Sequence, residues 1–116
     1  MKPIGQYWEQ RAEHFLMQHG LQLITRNFST PSGEIDLIMR DADSVAFIEV
    51  RYRGSTRFGS AIHSVTAAKQ RKLKRCAALF VNRQTAWSHH PCRFDVIAYD
   101  APNGDVEPVW IRAAFD

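Results

Sequence analysis

The chain of 116 residues has little of what marks several protein classes. It holds only two cysteines, Cys76 and Cys92, neither in a CxxC pair. A disulfide framework and a cysteine-based zinc site are both excluded on that count. Six glycines and five prolines are too few for a collagen-like or low-complexity chain. No run approaches the ~18 consecutive apolar residues of a membrane-spanning helix, so no membrane partner is expected. The opening stretch MKPIGQYWEQRAEH has no apolar segment followed by a small-residue cleavage site. No secretory leader is therefore expected, and the expected compartment is the cytoplasm.

A further absence is one-sided. No acidic residue lies between Glu49 and Asp95, whereas ten of the 15 Lys and Arg residues do: Arg51, Arg53, Arg57, Lys69, Arg71, Lys72, Lys74, Arg75, Arg83 and Arg93. Such a block points to a polyanion-facing surface, with nucleic acid the leading partner. A solvated basic helix with acids packed nearby in space gives the same pattern. What is present is ordinary for one domain spanning 1–116: 45% hydrophobic residues, enough for a core without covalent staples. The composition is silent on oligomeric state and compatible with a homodimer.

Periodicity supplies the elements. From Gly5 to His19, Trp8, Ala12, Phe15 and His19 recur on one helical face, and Gly20 is a stop signal. LQLITRNF, EIDLIMR and VAFIEVRYR read as strands, with Pro31-Ser32-Gly33 and DADS as turns. A second helix is expected from about His63 to Val81, a loop over 82–91, a buried strand CRFDVIAY and a last strand VEPVWIR after Asn103-Gly104. Pro108 places that last strand at an edge or a break. The order is α-β-β-β-α-β-β, which predicts an α/β fold with a mixed β-sheet flanked by helices.

Asp36 and Glu49 stand out as acids inside strongly apolar strands. If DADS is a four-residue hairpin loop, Arg40 pairs with Val45 and the ladder carries Asp36 opposite Glu49. Opposed side chains lie roughly 4.5–5.5 Å apart at Cβ, and two carboxylates there repel unless a cation separates them. A hard divalent cation such as Mg²⁺ turns that repulsion into a site. Arg51 falls on the face of Glu49, two residues on. The alternative is a solvated sheet face with acids paired to nearby arginines.

GEIDLI (33–38), FIEVRYR (47–53), FGSAIHSVTAAKQRKL (58–73), RFDVI (93–97) and the terminal AAF resemble the YraN-like family of small bacterial proteins. The resemblance runs from Gly5 to Phe115, with several motifs in order. It implies the restriction-endonuclease-like fold of the PD-(D/E)XK superfamily, distantly similar to archaeal Holliday-junction resolvases. It implies Asp36 and Glu49 as metal ligands, and GQYWEQRAEHFL places Glu9 as the additional helix carboxylate. Glu9 borders the apolar helix face, and Glu13 points further out. A first-turn acid stabilising the helix N-terminus is the alternative for Glu9.

The sequence departs from the family where EVK is usual, reading Glu49-Val50-Arg51. Arginine can stabilise a developing phosphorane but stays protonated and cannot act as a base. Lys69 is a candidate substitute. Leu73, Cys76 and Phe80 follow it by 4, 7 and 11 residues, so it is aimed at the sheet, unlike Arg71, Lys74 and Arg75. A lysine that snorkels past the sheet edge would look the same. Among weaker signals, His63 near a helix start can touch phosphate, and Trp87 with His89-His90 can stack on bases.

Together these features describe a Mg²⁺- or Mn²⁺-dependent nuclease acting on DNA, branched or damaged DNA included. Its catalytic set is Glu9, Asp36, Glu49, Arg51 and Lys69, with Glu9, Asp36 and Glu49 on the metal. Arg53, Arg57, Arg71, Lys72, Lys74 and Arg75 would hold the backbone. The rival is a non-catalytic nucleic-acid-binding or partner-scaffold protein that keeps the fold.

Overall fold

The computed structural model describes residues 4–52, 65–99 and 107–116. Helix α1 (Ile4–Gln18) is followed by strands β1 (Gln22–Thr30), β2 (Gly33–Asp41) and β3 (Ser44–Tyr52). Helix α2 (Ala67–Arg83), a 3-10 turn at Thr85–Trp87, and strands β4 (Cys92–Tyr99) and β5 (Val109–Phe115) complete the order. The expected α-β-β-β-α-β-β arrangement is therefore the observed one. Arg53, Arg57, His63 and the Asn103-Gly104 turn lie outside the described residues.

The strands form one sheet in the order β1-β2-β3-β4-β5. β3 and β4 run parallel and the other neighbours antiparallel, so the sheet is mixed. β5 begins immediately after Pro108 and takes an outer position, where a missing backbone donor costs nothing. β4 lies inside the sheet, and Asp95 through Tyr99 are buried, as its apolar density requires.

Each helix covers one face of the sheet. Trp8, Ala12 and Leu16 of α1 pack on Leu37, Met39 and Ile48, whereas Leu73, Cys76 and Phe80 of α2 pack with Ile35, Ile38 and Phe47. The α1 face runs 8-12-16, with Phe15 half-buried. His19 is exposed and its Nδ1 lies 2.8 Å from the carbonyl oxygen of Phe15, so the face stops one turn earlier than expected. Gly20, at φ 93°, closes α1, letting the Leu21 N–H reach back to Leu16 (3.1 Å). Thr66 caps α2, its hydroxyl accepting from the Lys69 N–H at 3.2 Å, which fixes the helix start at Ala67.

The β2–β3 hairpin is tighter than DADS suggested. Asp41 pairs with Ser44, leaving Ala42-Asp43 as the loop, with Ala42 at φ 53°. The register is the expected one: Arg40 opposes Val45 and Leu37 opposes Ile48. Trp87 is half-buried against the α2 core, packs on His90 (5.1 Å between ring centroids) and lies under Arg40. His90 Nδ1 reaches the Asp43 carbonyl at 2.8 Å. These rings brace the hairpin instead of forming a free stacking surface.

Asp95 is completely buried at a register shift between β4 and β5. Its Oδ1 accepts from Arg93 Nε and from the Ala113 N–H, both at 3.0 Å. Its Oδ2 accepts from Trp110 Nε1 (3.0 Å) and Arg93 Nη2 (3.1 Å). Ala113 sits at φ 49°, a strained conformation for alanine that this hydrogen bond helps hold. Arg93 and Arg112 both reach Asp41 Oδ2 at 2.8 Å, tying the hairpin to the far edge of the sheet. Removing one partner of a buried, hydrogen-bonded ion pair costs ~3–5 kcal/mol. Asp95→Ala is expected to lose about that much in chemical denaturation and to melt well below the wild type. A loss under about 1 kcal/mol would show that the network is dispensable.

Candidate active site

The β2–β3 ladder pairs no further than Leu37 with Ile48. Beyond that point the carboxylate of Asp36 turns toward β3, and its Oδ2 accepts the backbone N–H of Val50 at 2.8 Å. The amide released by the end of the ladder is thus satisfied by a side chain.

A change of face in β2 allows this. Leu37 lies in the α1 core and Ile35 in the α2 core, although residues two apart on a regular strand share a face. β1 makes the same switch. Arg26 pairs with Glu13 of α1, while Phe28 packs edge-on against Phe80 of α2 (5.4 Å). Between them Asn27 adopts φ 49°, a left-handed conformation that asparagine tolerates better than most residues. The ladder pairs Arg26 with Leu37 and Phe28 with Ile35, which sets Asn27 opposite Asp36 at the point where both strands switch.

A cleft of about 280 Å³ opens here, lined by Gly5, Trp8, Glu9, Asp36, Glu49, Val50, Arg51 and Tyr52. The structure therefore brings Glu9, Asp36, Glu49 and Arg51 together. Trp8 and Tyr52 stack in its wall, 4.2 Å apart and nearly parallel. Among the described residues, the buried indole Nε1 of Trp8 has no hydrogen-bond partner. The Glu49 side chain is 12% exposed, and Arg51 Nη1 lies 3.2 Å from its Oε2. Glu9, on α1, accepts from Asn27 Nδ2 at 2.8 Å, and the same amide nitrogen donates to Glu34 at 2.7 Å. Glu13 is less exposed than its position promised, at 13%, because Arg26 grips it. Among the described residues, no three of His, Cys, Asp and Glu stand close enough to hold one metal ion as the side chains lie.

Lys69 is half-buried in the first turn of α2 and is not among the cleft-lining residues. Arg71, Lys72, Lys74 and Arg75 are exposed along the same helix. Sequence reasoning missed Asn27, Glu34 and the Val50 amide. Asparagine inside an apolar strand was the available signal for the first.

The model for the uncharacterised protein family UPF0102 matches residues 8–99. The chain belongs to this family. The UPF0102 protein of Pseudomonas syringae pv. syringae is 48% identical over 113 residues, covering 97% of this chain and 92% of the relative. That of Stutzerimonas stutzeri is 49% identical over 109 residues, covering 90% and 91%. The YraN-like resemblance of the motifs leads to this same family. The UPF0102 match spans α1 through β4 and so contains every residue lining the cleft except Gly5.

Burial pushes the Asp36 carboxyl up to about 9, and the charges of Glu49 and Glu9 push in the same direction, against the Val50 N–H. At neutral pH the folded chain therefore keeps a proton on Asp36 that the unfolded chain, with a carboxyl near 3.8, has released. Over that interval the native state binds more protons, so this group makes stability fall as pH rises from about 4 to about 9. Asp36→Asn is expected to flatten the decline in metal-free protein and to equal or exceed wild-type stability at pH about 8. Parallel profiles of melting temperature against pH for the two proteins would contradict this.

Proposed function

We propose that this protein is a divalent-metal-dependent nuclease that hydrolyses phosphodiester bonds in DNA. The carrying observation is the Asp36 carboxyl, turned into the gap between β2 and β3 beside Glu49, with Glu9 on the cleft wall. The donors are all hard oxygens, which suit Mg²⁺ or Mn²⁺ and not a soft-metal site. An acid pair that stays together by keeping a proton on one member fits a cation better than a purely structural pair. The Trp8 N–H, which no described residue accepts, is a donor that a bound water or phosphate oxygen would satisfy. The mixed sheet flanked by two helices is the architecture the nuclease superfamily requires.

Asp36 and Glu49 would hold the metal, with Glu9 closing on it. Such an ion supplies a Lewis acid and lowers the pKa of a bound water. Arg51 stays protonated, so its part is to stabilise negative charge on the phosphate; it takes no proton. Lys69, in the first turn of α2 and outside the cleft lining, has no part in this arrangement. The exposed Arg71, Lys72, Lys74 and Arg75 provide a backbone-gripping face, which Arg53 and Arg57 would extend.

A second reading has its own support. Arg51 already neutralises Glu49, and Lys69 is not among the cleft-lining residues, as befits a scaffold that binds nucleic acid without cutting it. Metal-dependent cleavage of duplex, single-stranded and branched DNA, with Asp36→Asn as the inactive control, separates the two. Millimolar Mn²⁺ is expected to raise the melting temperature of the wild type and not of Asp36→Asn. Arg51→Lys is expected to tighten Mn²⁺ binding about three- to tenfold, since the ~0.5–1.5 kcal/mol of a hydrogen-bonded pair no longer opposes the ion. Unchanged or weaker Mn²⁺ binding in Arg51→Lys would dismiss the competition.

The DNA face is tested separately. Affinity is expected to fall with salt at roughly −0.9 in log–log slope per phosphate contact on duplex. Replacing Arg71, Lys74 and Arg75 together by Ala should flatten that slope by about 2–3 and weaken binding to all sequences alike. A slope that survives the triple substitution would place the DNA elsewhere.

A further inference from the structure

Asn27 has no place in the reading above, yet it is the residue that holds Glu9. Its amide nitrogen donates to Glu9 Oε1 at 2.8 Å and to Glu34 Oε1 at 2.7 Å. Both neighbours are acceptors, so the orientation of the amide follows from its partners. Its left-handed backbone, φ 49°, coincides with the face switch that aims the side chain toward α1.

The side on which Asn27 stands is decisive. β1 and β3 flank β2 on opposite edges. Asn27 is opposite Asp36 on the β1 edge, whereas Glu49 and the Val50 amide meet Asp36 from the β3 edge. The hydrogen bond therefore draws Glu9 away from Glu49, and no three acids among the described residues close on one point. A side chain that merely orients a ligand would stand behind it and present its free oxygen to the ion. Asn27 pulls sideways.

We propose that Asn27 is a latch, holding Glu9 on the β1 side of Asp36 and away from Glu49 while the cleft contains no cation and releasing it when a divalent ion enters. The latch rests on the metal reading given above. Without an ion, each carboxylate has its own partner: Val50 N–H for Asp36, Arg51 for Glu49 and Asn27 for Glu9. Metal entry exchanges the Asn27 bond for an ion–carboxylate contact, and the bond given up lowers the apparent affinity.

The test compares wild type, Asn27→Gly, Glu9→Gln and the double variant by calorimetric titration with Mn²⁺ and by melting without metal. Glycine accepts the left-handed backbone and lacks the amide. Asn27→Gly is expected to bind Mn²⁺ about tenfold more tightly, as expected for loss of one charge-assisted hydrogen bond, and to melt lower without metal. In the Glu9→Gln background the same substitution should leave the affinity unchanged. Weaker or equal Mn²⁺ binding by Asn27→Gly, or an equal gain in both backgrounds, overturns the latch while leaving the metal site standing. No Mn²⁺ uptake by any of the four proteins overturns both. Should the glycine variant fail to fold, Asn27→Ala removes the donor without adding a charge, and alanine takes the same left-handed φ at Ala42 and Ala113 of this chain. Its gain must likewise vanish with Glu9→Gln, and a gain that persists overturns the latch.

Discussion

Asp36 and Glu49 cannot both be ionised in their gap without positive charge between or beside them, and the centre of the molecule is arranged around that repulsion. The strands that carry them lie inside the sheet, with Leu37, Ile38, Met39, Val45, Ala46 and Ile48 fully excluded from solvent. That burial makes the backbone rigid and the surroundings weakly polarisable, so two carboxylates there interact far more strongly than on a wet surface. The local geometry answers the strain in steps. The ladder stops, β2 changes face, β1 changes face with it through a left-handed Asn27, and the Val50 amide turns to Asp36.

A comparison within the same sheet supports the proposed reading of this strain. Asp95 also interrupts an apolar strand and also sits at a register irregularity. It is surrounded by four donor groups from Arg93, Trp110 and Ala113, so its charge is fully compensated. Asp36 is given one backbone N–H and two acidic neighbours. A fold able to build the first environment has no structural need of the second. Perturbed carboxyls gathered in a cleft are the usual mark of a site that awaits a ligand.

Much of this was legible in the residues. β-branched and aromatic runs gave the strands, Pro108 the edge and Gly20 the end of α1, because each of these signals acts through its own backbone. The Arg40–Val45 register could be read from the hairpin because a one-residue slip would have turned Leu37 and Met39 out of the α1 core. The paired face switch at Asn27 and Asp36 could not be read that way. Strict alternation assigns Ile35 and Leu37 to one face, and only the competing demands of α1 and α2 split them. Glu13 was misjudged for a related reason: its burial depends on Arg26, a residue on another element. Trp87 and His90, offered as a stacking surface, brace the hairpin because they reach Arg40 and Asp43, far off in sequence.

On the proposed metal reading, arginine at position 51 sets what a metal would have to do to enter. In the ion-free cleft the two central carboxyls are balanced by one proton, held by Asp36, and one guanidinium, held against Glu49. A divalent cation brings the same two positive charges, so it replaces a balance that already exists. On the proposed metal reading, the proton would have to leave and the Arg51–Glu49 bond would have to give way before an ion reached both carboxyls. A lysine would release Glu49 more readily, being a compact charge on a flexible stem. On the proposed reading, arginine would oppose the entry of the ion, and its charge would turn to the phosphate only after the ion is in place. On that reading, the arginine that departs from the family pattern would couple the positive charge offered to a phosphate to the arrival of the metal.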